Sequence, residues 1–240
     1  MLSSGSSILT VTDLRVRYGT FEAVKGVSFE LCAGEILGIV GESGSGKSTI
    51  AKTLIGLEKP SAGQISWNES AHLGVQMIFQ DAVGSLNPRM TVRQTLEEVL
   101  KYARKPREST KTPAELLDLV GLSSAVLDQY PREMSGGQCQ RVSIARALAC
   151  EPDILIADEP VSALDVSVQA RILNLLRDLR RELHLSILLI AHDLAVVKNV
   201  CDQICVMEHG LFVDVGPSEE VFAHPQSEYT RRLLTAVPRI

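Results

Sequence analysis

Eight consecutive residues, Gly41-Glu42-Ser43-Gly44-Ser45-Gly46-Lys47-Ser48, set glycines, a lysine and a hydroxyl at fixed offsets. The spacing is G-x-x-x-x-G-K-[ST], that of a phosphate-binding P-loop. Glycine lets the backbone curl until successive N–H groups point inward at phosphate oxygens. A helix starting at the loop adds the positive end of its dipole. Lys47 is expected to reach the β- and γ-phosphates, Ser48 to offer its hydroxyl to Mg²⁺, and Thr49 to continue the phosphate-binding set. A second element, Asp158-Glu159, closes the apolar run Ile154-Leu155-Ile156-Ala157. Asp158 is suited to hold Mg²⁺ or its water, and Glu159 to polarise an attacking water as general base. Two surface acids at a strand end are the plain alternative. Their place downstream of a P-loop weighs against it.

These groups need elements to position them. Residues 36–40 form an apolar run short enough for a buried strand, and Ile50, Leu54 and Leu57 then follow at helical spacing. Strand, glycine-rich turn and helix are the context the P-loop requires. Upstream, Leu9, Val11, Leu14, Val16 and Tyr18 alternate with polar residues as in an edge strand, and residues 24–31 alternate again after Gly19, so a hairpin is expected. Further strands are expected at 64–67 and 75–79. The texture then changes. Residues 91–104 read as a helix capped by Thr91, 101–111 as a polar surface loop, and Thr112-Pro113-Ala114-Glu115 as a capping box opening a helix that ends at Gly121. Short and long helices follow at 123–129 and 135–150. The α/β pattern returns with strands at 154–157 and 186–191 around a helix at 168–183, then a helix at 195–200. A strand pair at 201–208 and 211–215 turns at His209-Gly210, and helices at 218–223 and 227–236 close the chain. The expected fold is α/β. A P-loop core with a parallel sheet carries an N-terminal antiparallel β subdomain and a helical subdomain. Residues 1–240 read as one domain, with 8–81 and 150–240 as core and 82–149 as the helical part.

Composition narrows the function classes. The 240 residues are 45% hydrophobic and 22% charged, which suits a globular chain with ample core. A net charge of −5 gives no overall basic footprint for nucleic acid. No apolar run approaches the roughly 20 residues of a membrane span. Residues 1–7 lack a basic start and an apolar h-region, so no secretory signal is expected. Five irregularly spaced cysteines point to reduced thiols, and Cys201 with Cys205 lacks the second pair that a zinc site needs.

Ser135-Gly136-Gly137-Gln138 makes the resemblance specific. It matches the signature motif of ATP-binding-cassette (ABC) ATPases, and its place between a helical insertion and Asp158-Glu159 matches too. The chain resembles the nucleotide-binding subunit of an ABC transporter from about residue 8 to 234. In that family the signature of one subunit closes on the γ-phosphate held by the other's P-loop, so two ATPs lie in a head-to-tail dimer. The resemblance also implies roles for Tyr18, stacking on adenine, and Gln80 of the Q-loop, which contacts Mg²⁺ or water and links to the membrane subunit. It implies a D-loop at Ser162-Ala163-Leu164-Asp165, which crosses the dimer interface, and a switch histidine at His192, which contacts the γ-phosphate.

Residues 79–92, containing Ser85-Leu86-Asn87-Pro88-Arg89-Met90, resemble the peptide/nickel importer branch, as do 161–169 and the tail His224-Pro225-Gln226-Ser227-Glu228-Tyr229-Thr230. Ala82 stands where proline is usual, and Gln226-Ser227-Glu228-Tyr229 lengthens the habitual His-Pro-Tyr-Thr. The sequence stops at Ile240 without the longer extension of many peptide-branch members, which leans toward nickel or metal-chelate cargo. The resemblance implies ATP and Mg²⁺ as ligands. It implies two transmembrane permease subunits, a second ABC ATPase (a heterodimer favoured over a homodimer) and an extracytoplasmic substrate-binding protein as partners. Nucleic acid is not among them. The expected place is the cytoplasmic face of a bacterial cell membrane, held peripherally. The rival class is a soluble ABC ATPase for cofactor assembly or regulation, against which the Ser85–Met90 resemblance argues.

Overall fold

A computed structural model describes residues 6–68, 74–102 and 111–236. Strands β1 (Ser7–Tyr18) and β2 (Phe21–Cys32) form the expected hairpin, with Gly19 at φ 60° in the turn. After β3 (Ile36–Val40) and α1 (Lys47–Leu54), β4 (Ala62–Trp67) pairs with the free side of β1. The small sheet therefore runs β2-β1-β4, all antiparallel, and β1 is central. The edge position expected for β1 is wrong. Two-residue alternation reports one buried face and says nothing about who pairs at the strand's sides.

The main sheet adds β5 (Val75–Ile78), β6 (Ile154–Asp158), β7 (Ser186–Ala191), β8 (Gln203–Glu208) and β9 (Leu211–Pro217). Its order is β5-β6-β7-β3-β8-β9, parallel throughout except for the β8–β9 pair. At the β8–β9 turn His209 and Gly210 both take positive φ, 49° and 87°, as a two-residue hairpin requires. Strands β3, β6 and β7 are buried along their whole length, as parallel strands covered on both faces must be. Leu37, Ile39, Leu188 and Ile190 face one core with α1 and the small sheet. Ile36, Val40, Ala157, Ile187 and Leu189 face the other.

That second core carries the helices. They are α2 (Val92–Tyr102), α3 (Pro113–Leu119), α4 (Gly136–Leu148), α5 (Val166–Leu183), α6 (Leu194–Val197), α7 (Ser218–Ala223) and α8 (Glu228–Ala236). Thr112 and Glu115 make the expected capping box of α3, and the Thr91 hydroxyl accepts the Gln94 N–H before α2. Three of the expected helices shift most, while β4 starts at Ala62, β8 at Gln203, and β9 runs on to Pro217. Residues 123–129 form only a 3₁₀ turn at Ser124–Val126. Helix α5 starts two residues earlier than expected, at Val166, because Asp165 caps it through the Val168 N–H at 3.0 Å. Helix α6 is one short turn at Leu194–Val197. Of the surface loop expected at 101–111, residues 103–110 lie outside the described part.

All five cysteines are free thiols. Burial pushes the Cys205 thiol up to about 12 and Cys201 further still, so both are inert packing groups. Among the described residues no cluster of His, Cys, Asp and Glu could hold a metal by itself, and no helix is long and apolar enough to cross a membrane.

Candidate nucleotide site

The P-loop joins the C-terminal end of β3 to α1 at the middle of the main sheet. Gly44 and Gly46 take φ of 82° and 113°, and Gly46 is the N-cap of α1. No side chain caps that helix, which leaves its first N–H groups to water or a ligand. Glycine is also demanded by space. A Cβ on Gly41 would run into the Met207 carbonyl, and one on Gly46 would meet the Ala23 oxygen at 2.5 Å. The loop's curl is thus cut to fit the neighbouring β8 and β2.

Lys47 is 3% exposed, and its ammonium donates to the Gly41 and Glu42 carbonyls at 2.7 and 2.8 Å. Burial lowers its pKa, while the charges of Glu159 and Asp158 oppose that. The Ser48 hydroxyl donates to Asp158 Oδ1 at 2.9 Å across the β3–β6 gap. Burial raises the Asp158 pKa; the Ser48 hydrogen bond works against it and the Glu159 charge with it. A buried carboxylate and a hydroxyl at this distance form a hard-oxygen pair of the kind Mg²⁺ takes.

Glu159 is where the remaining groups converge. Gln80 donates its amide N–H to Glu159 Oε2 at 2.7 Å. His192 Nδ1 lies 3.8 Å from the same oxygen, and Lys47 Nζ lies 4.0 Å from Oε1. Glu159 itself takes φ 46°, a costly conformation for a residue with a side chain, and its N–H is fixed to the Ile190 carbonyl at 3.0 Å. The turn after β6 thereby aims the carboxylate back over the sheet edge. Four residues from four segments, 47, 80, 159 and 192, form one cluster, with Ser48 and Asp158 beside it.

The other expected residues stand apart from that cluster. Tyr18, at the end of β1, is 42% exposed and faces its hairpin partner Phe21 in the register. Ser43 and Glu42 are exposed, and the Ser45 hydroxyl is buried without a partner. Ser135 caps α4: its hydroxyl accepts the Gln138 N–H at 3.3 Å, and Gln138 accepts the Ser135 N–H at 2.9 Å. Gly136 and Gly137 pack against Leu164 and Val168, where a Cβ on Gly137 would meet Val168 at 2.7 Å. The signature turn therefore leans on the D-loop. Asp165 is held below the usual carboxylate range by the Ser167 hydroxyl and the Val168 N–H. Two neighbours were not anticipated from sequence. Gln169 braces the D-loop through the Val161 and Leu164 carbonyls, and Tyr229 accepts the Glu42 N–H of the P-loop at 2.9 Å. Neither has a local sequence signal beyond its place in a resembling stretch.

Residues 24–162 match the sequence profile of the ABC transporter family. The oligopeptide transport ATP-binding protein OppF of Escherichia coli (strain K12) is 44% identical over 259 residues, covering 96% of this chain and 78% of that protein. The chain belongs to the ABC transporter ATP-binding family. The OppF protein of Bacillus subtilis (strain 168) is 45% identical over 236 residues, covering 92% of this ABC subunit and 77% of its own length. The solved structure of cbiO1 from Clostridium perfringens, part of the ABC transporter complex cbiONQ, superposes with a TM-score of 0.80 at 29% identity, covering 97% of this chain and 96% of that one. As an ABC ATPase subunit with the P-loop NTPase fold, it binds ATP and couples its hydrolysis to transport.

Proposed function

We propose that this ABC subunit powers the import of short peptides, with the Glu159 cluster as its hydrolytic centre. The observation that carries the reading is the meeting of Lys47, Gln80 and His192 on one carboxylate, next to the Ser48–Asp158 pair. Tyr18 stacks the base. The P-loop N–H groups of residues 41–49 and the Lys47 ammonium hold phosphates; two of the three ammonium donors serve the Gly41 and Glu42 carbonyls, which leaves the third for phosphate. Ser48, Asp158 and Gln80 would hold Mg²⁺, which when bound offsets phosphate charge. Glu159 takes a proton from water, and His192, whose ring is half-exposed beside it, contacts the γ-phosphate. Ser135, Gly136, Gly137, Gln138 and Asp165 serve the ATP of a second ABC subunit, with a heterodimer favoured. Residues 82–149 act as a helical subdomain on a core formed by 8–81 and 150–240.

The partners in this reading are two permease subunits and an extracytoplasmic substrate-binding protein, with the ATPase held peripherally on the cytoplasmic face. Peptide cargo is supported by the oligopeptide names of the relatives, which outweigh the lean toward nickel that tail length gave. The test is affinity purification from detergent-solubilised membranes, followed by peptide uptake into vesicles carrying the recovered complex. Two multi-span proteins, a second cassette ATPase and ATP-dependent peptide uptake are expected. Recovery without a multi-span partner overturns the importer reading.

A further inference from the structure

The tail residues 224–230 resemble the importer branch, yet they serve no step of the proposed hydrolysis. They reach the P-loop. Tyr229, in α8, is 6% exposed, and its hydroxyl oxygen accepts the Glu42 N–H at 2.9 Å. That N–H belongs to the peptide unit joining Gly41 to Glu42. The carbonyl of the same unit accepts the Lys47 ammonium at 2.7 Å. In a trans peptide the N–H and C=O point in opposite directions. One amide is therefore gripped at both ends, by a tail hydroxyl on one side and by the phosphate-binding lysine on the other. Hydrogen bonds at the two ends of an amide polarise each other, and rotating this peptide would break both.

Helix α8 is itself anchored. Asp214 of β9 is buried and accepts the Gln226 N–H at 2.8 Å, the Ser227 N–H at 3.0 Å and the Thr230 hydroxyl. Burial would push this carboxyl up, but the Thr230 and Ser227 hydrogen bonds outweigh it and hold the group below its ordinary range. A continuous line of contacts thus runs from β9 through Asp214 to α8, and from Tyr229 through one peptide to Lys47.

We propose that Tyr229 is a positioning residue for nucleotide binding, fixing the ammonium of Lys47 through the Gly41–Glu42 peptide. This rests on the P-loop reading given above. Phenylalanine would fill the same space but could not accept the Glu42 N–H, so Tyr229→Phe separates packing from positioning. The full chain is assayed for affinity toward a fluorescent ATP analogue, for the KM and kcat of ATP hydrolysis, and for thermal unfolding. Tyr229→Phe is expected to weaken nucleotide affinity and raise KM by about two- to tenfold, the range for one lost hydrogen bond, with kcat little changed and Tm lowered by no more than about 2–4 °C. In a Lys47→Ala background the same substitution is expected to add less than about 1.5-fold, because the ammonium it positions is gone. Thr230→Val, which keeps the tyrosine but loosens its anchor, is expected to weaken affinity by a smaller factor of about two to three. Unchanged affinity in both Tyr229→Phe and Thr230→Val overturns the proposal. So does an equal loss from Tyr229→Phe with and without Lys47. If Lys47→Ala alone leaves affinity unchanged, the P-loop reading itself fails and the proposal falls with it.

Discussion

Two helices in this chain begin at a turn of small residues, and they begin differently. Helix α1 starts at Gly46, at φ 113°, with no side-chain cap. Helix α4 starts at Ser135, at φ −71° and ψ 158°, with a complete capping box. The first leaves its N–H groups for an anion brought from outside. The second has the Gln138 N–H satisfied by its own cap. Its hydroxyl accepts from Gln138 and so keeps its own proton to donate. The surroundings differ too. Gly41 and Gly46 of the P-loop are walled by Met207 and Ala23, whereas Gly136 and Gly137 of the signature turn lean on Leu164 and Val168. A phosphate site enclosed by its own chain can be shaped before any ligand arrives. In the proposed function the signature turn, which offers one hydroxyl and two glycines, acts on the ATP of a second subunit.

That contrast can be broken most strongly at Glu159. Glu159→Gln keeps the Gln80 contact geometry and removes the base. Steady-state phosphate release is expected to fall about 100-fold or more, with ATP affinity nearly unchanged. A rate within tenfold of the parent would remove Glu159 from the role of general base. The next largest effect is expected on the P-loop side. Gly46→Ala forces a Cβ against the Ala23 oxygen and Met207 at a φ of 113°. Titration with a fluorescent ATP analogue should show affinity reduced about tenfold or more, given roughly 1–3 kcal/mol of backbone strain. The smallest effect belongs to the signature side. Ser135→Ala should cost about 1 kcal/mol of helix capping and lower Tm by roughly 2–4 °C. Single-subunit ATP affinity should stay unchanged while hydrolysis in the assembled dimer falls. Weakened affinity in the isolated subunit would mean that the two turns share one site in one chain, which would erase the contrast.

The P-loop and the strand that feeds it were legible because both signals are local. The glycines, Lys47 and Ser48 lie within eight residues, and five apolar residues precede them. The Asp158–Glu159 element was legible for the same reason. The convergence on Glu159 was legible only through the family resemblance and not through local spacing. It joins residues 80, 159 and 192, whose distance from one another depends on strand order rather than spacing. The central place of β1 was hidden because its partner β4 lies beyond β3 and α1. The early start of α5 was missed because the exposed Val166 does not fit the apolar stripe, whereas the Asp165 cap is what sets the start. Tyr229 was hidden most completely. A lone tyrosine on an amphipathic tail helix gives no sign of contact with a loop 187 positions upstream.

Strand order also sets a timetable for synthesis. Strand β3 ends at Val40, and its neighbours β7 and β8 begin at Ser186 and Gln203. At about 5–20 residues per second, roughly 7–30 s pass between making the P-loop strand and making its first partner. During that interval five apolar residues have no sheet to enter, and the turn after them lacks the Met207 carbonyl that shapes it. A nascent chain must keep Ile36–Val40 shielded until its last quarter emerges. A chain truncated before Ser186 would carry the complete P-loop sequence without the strands that give it form.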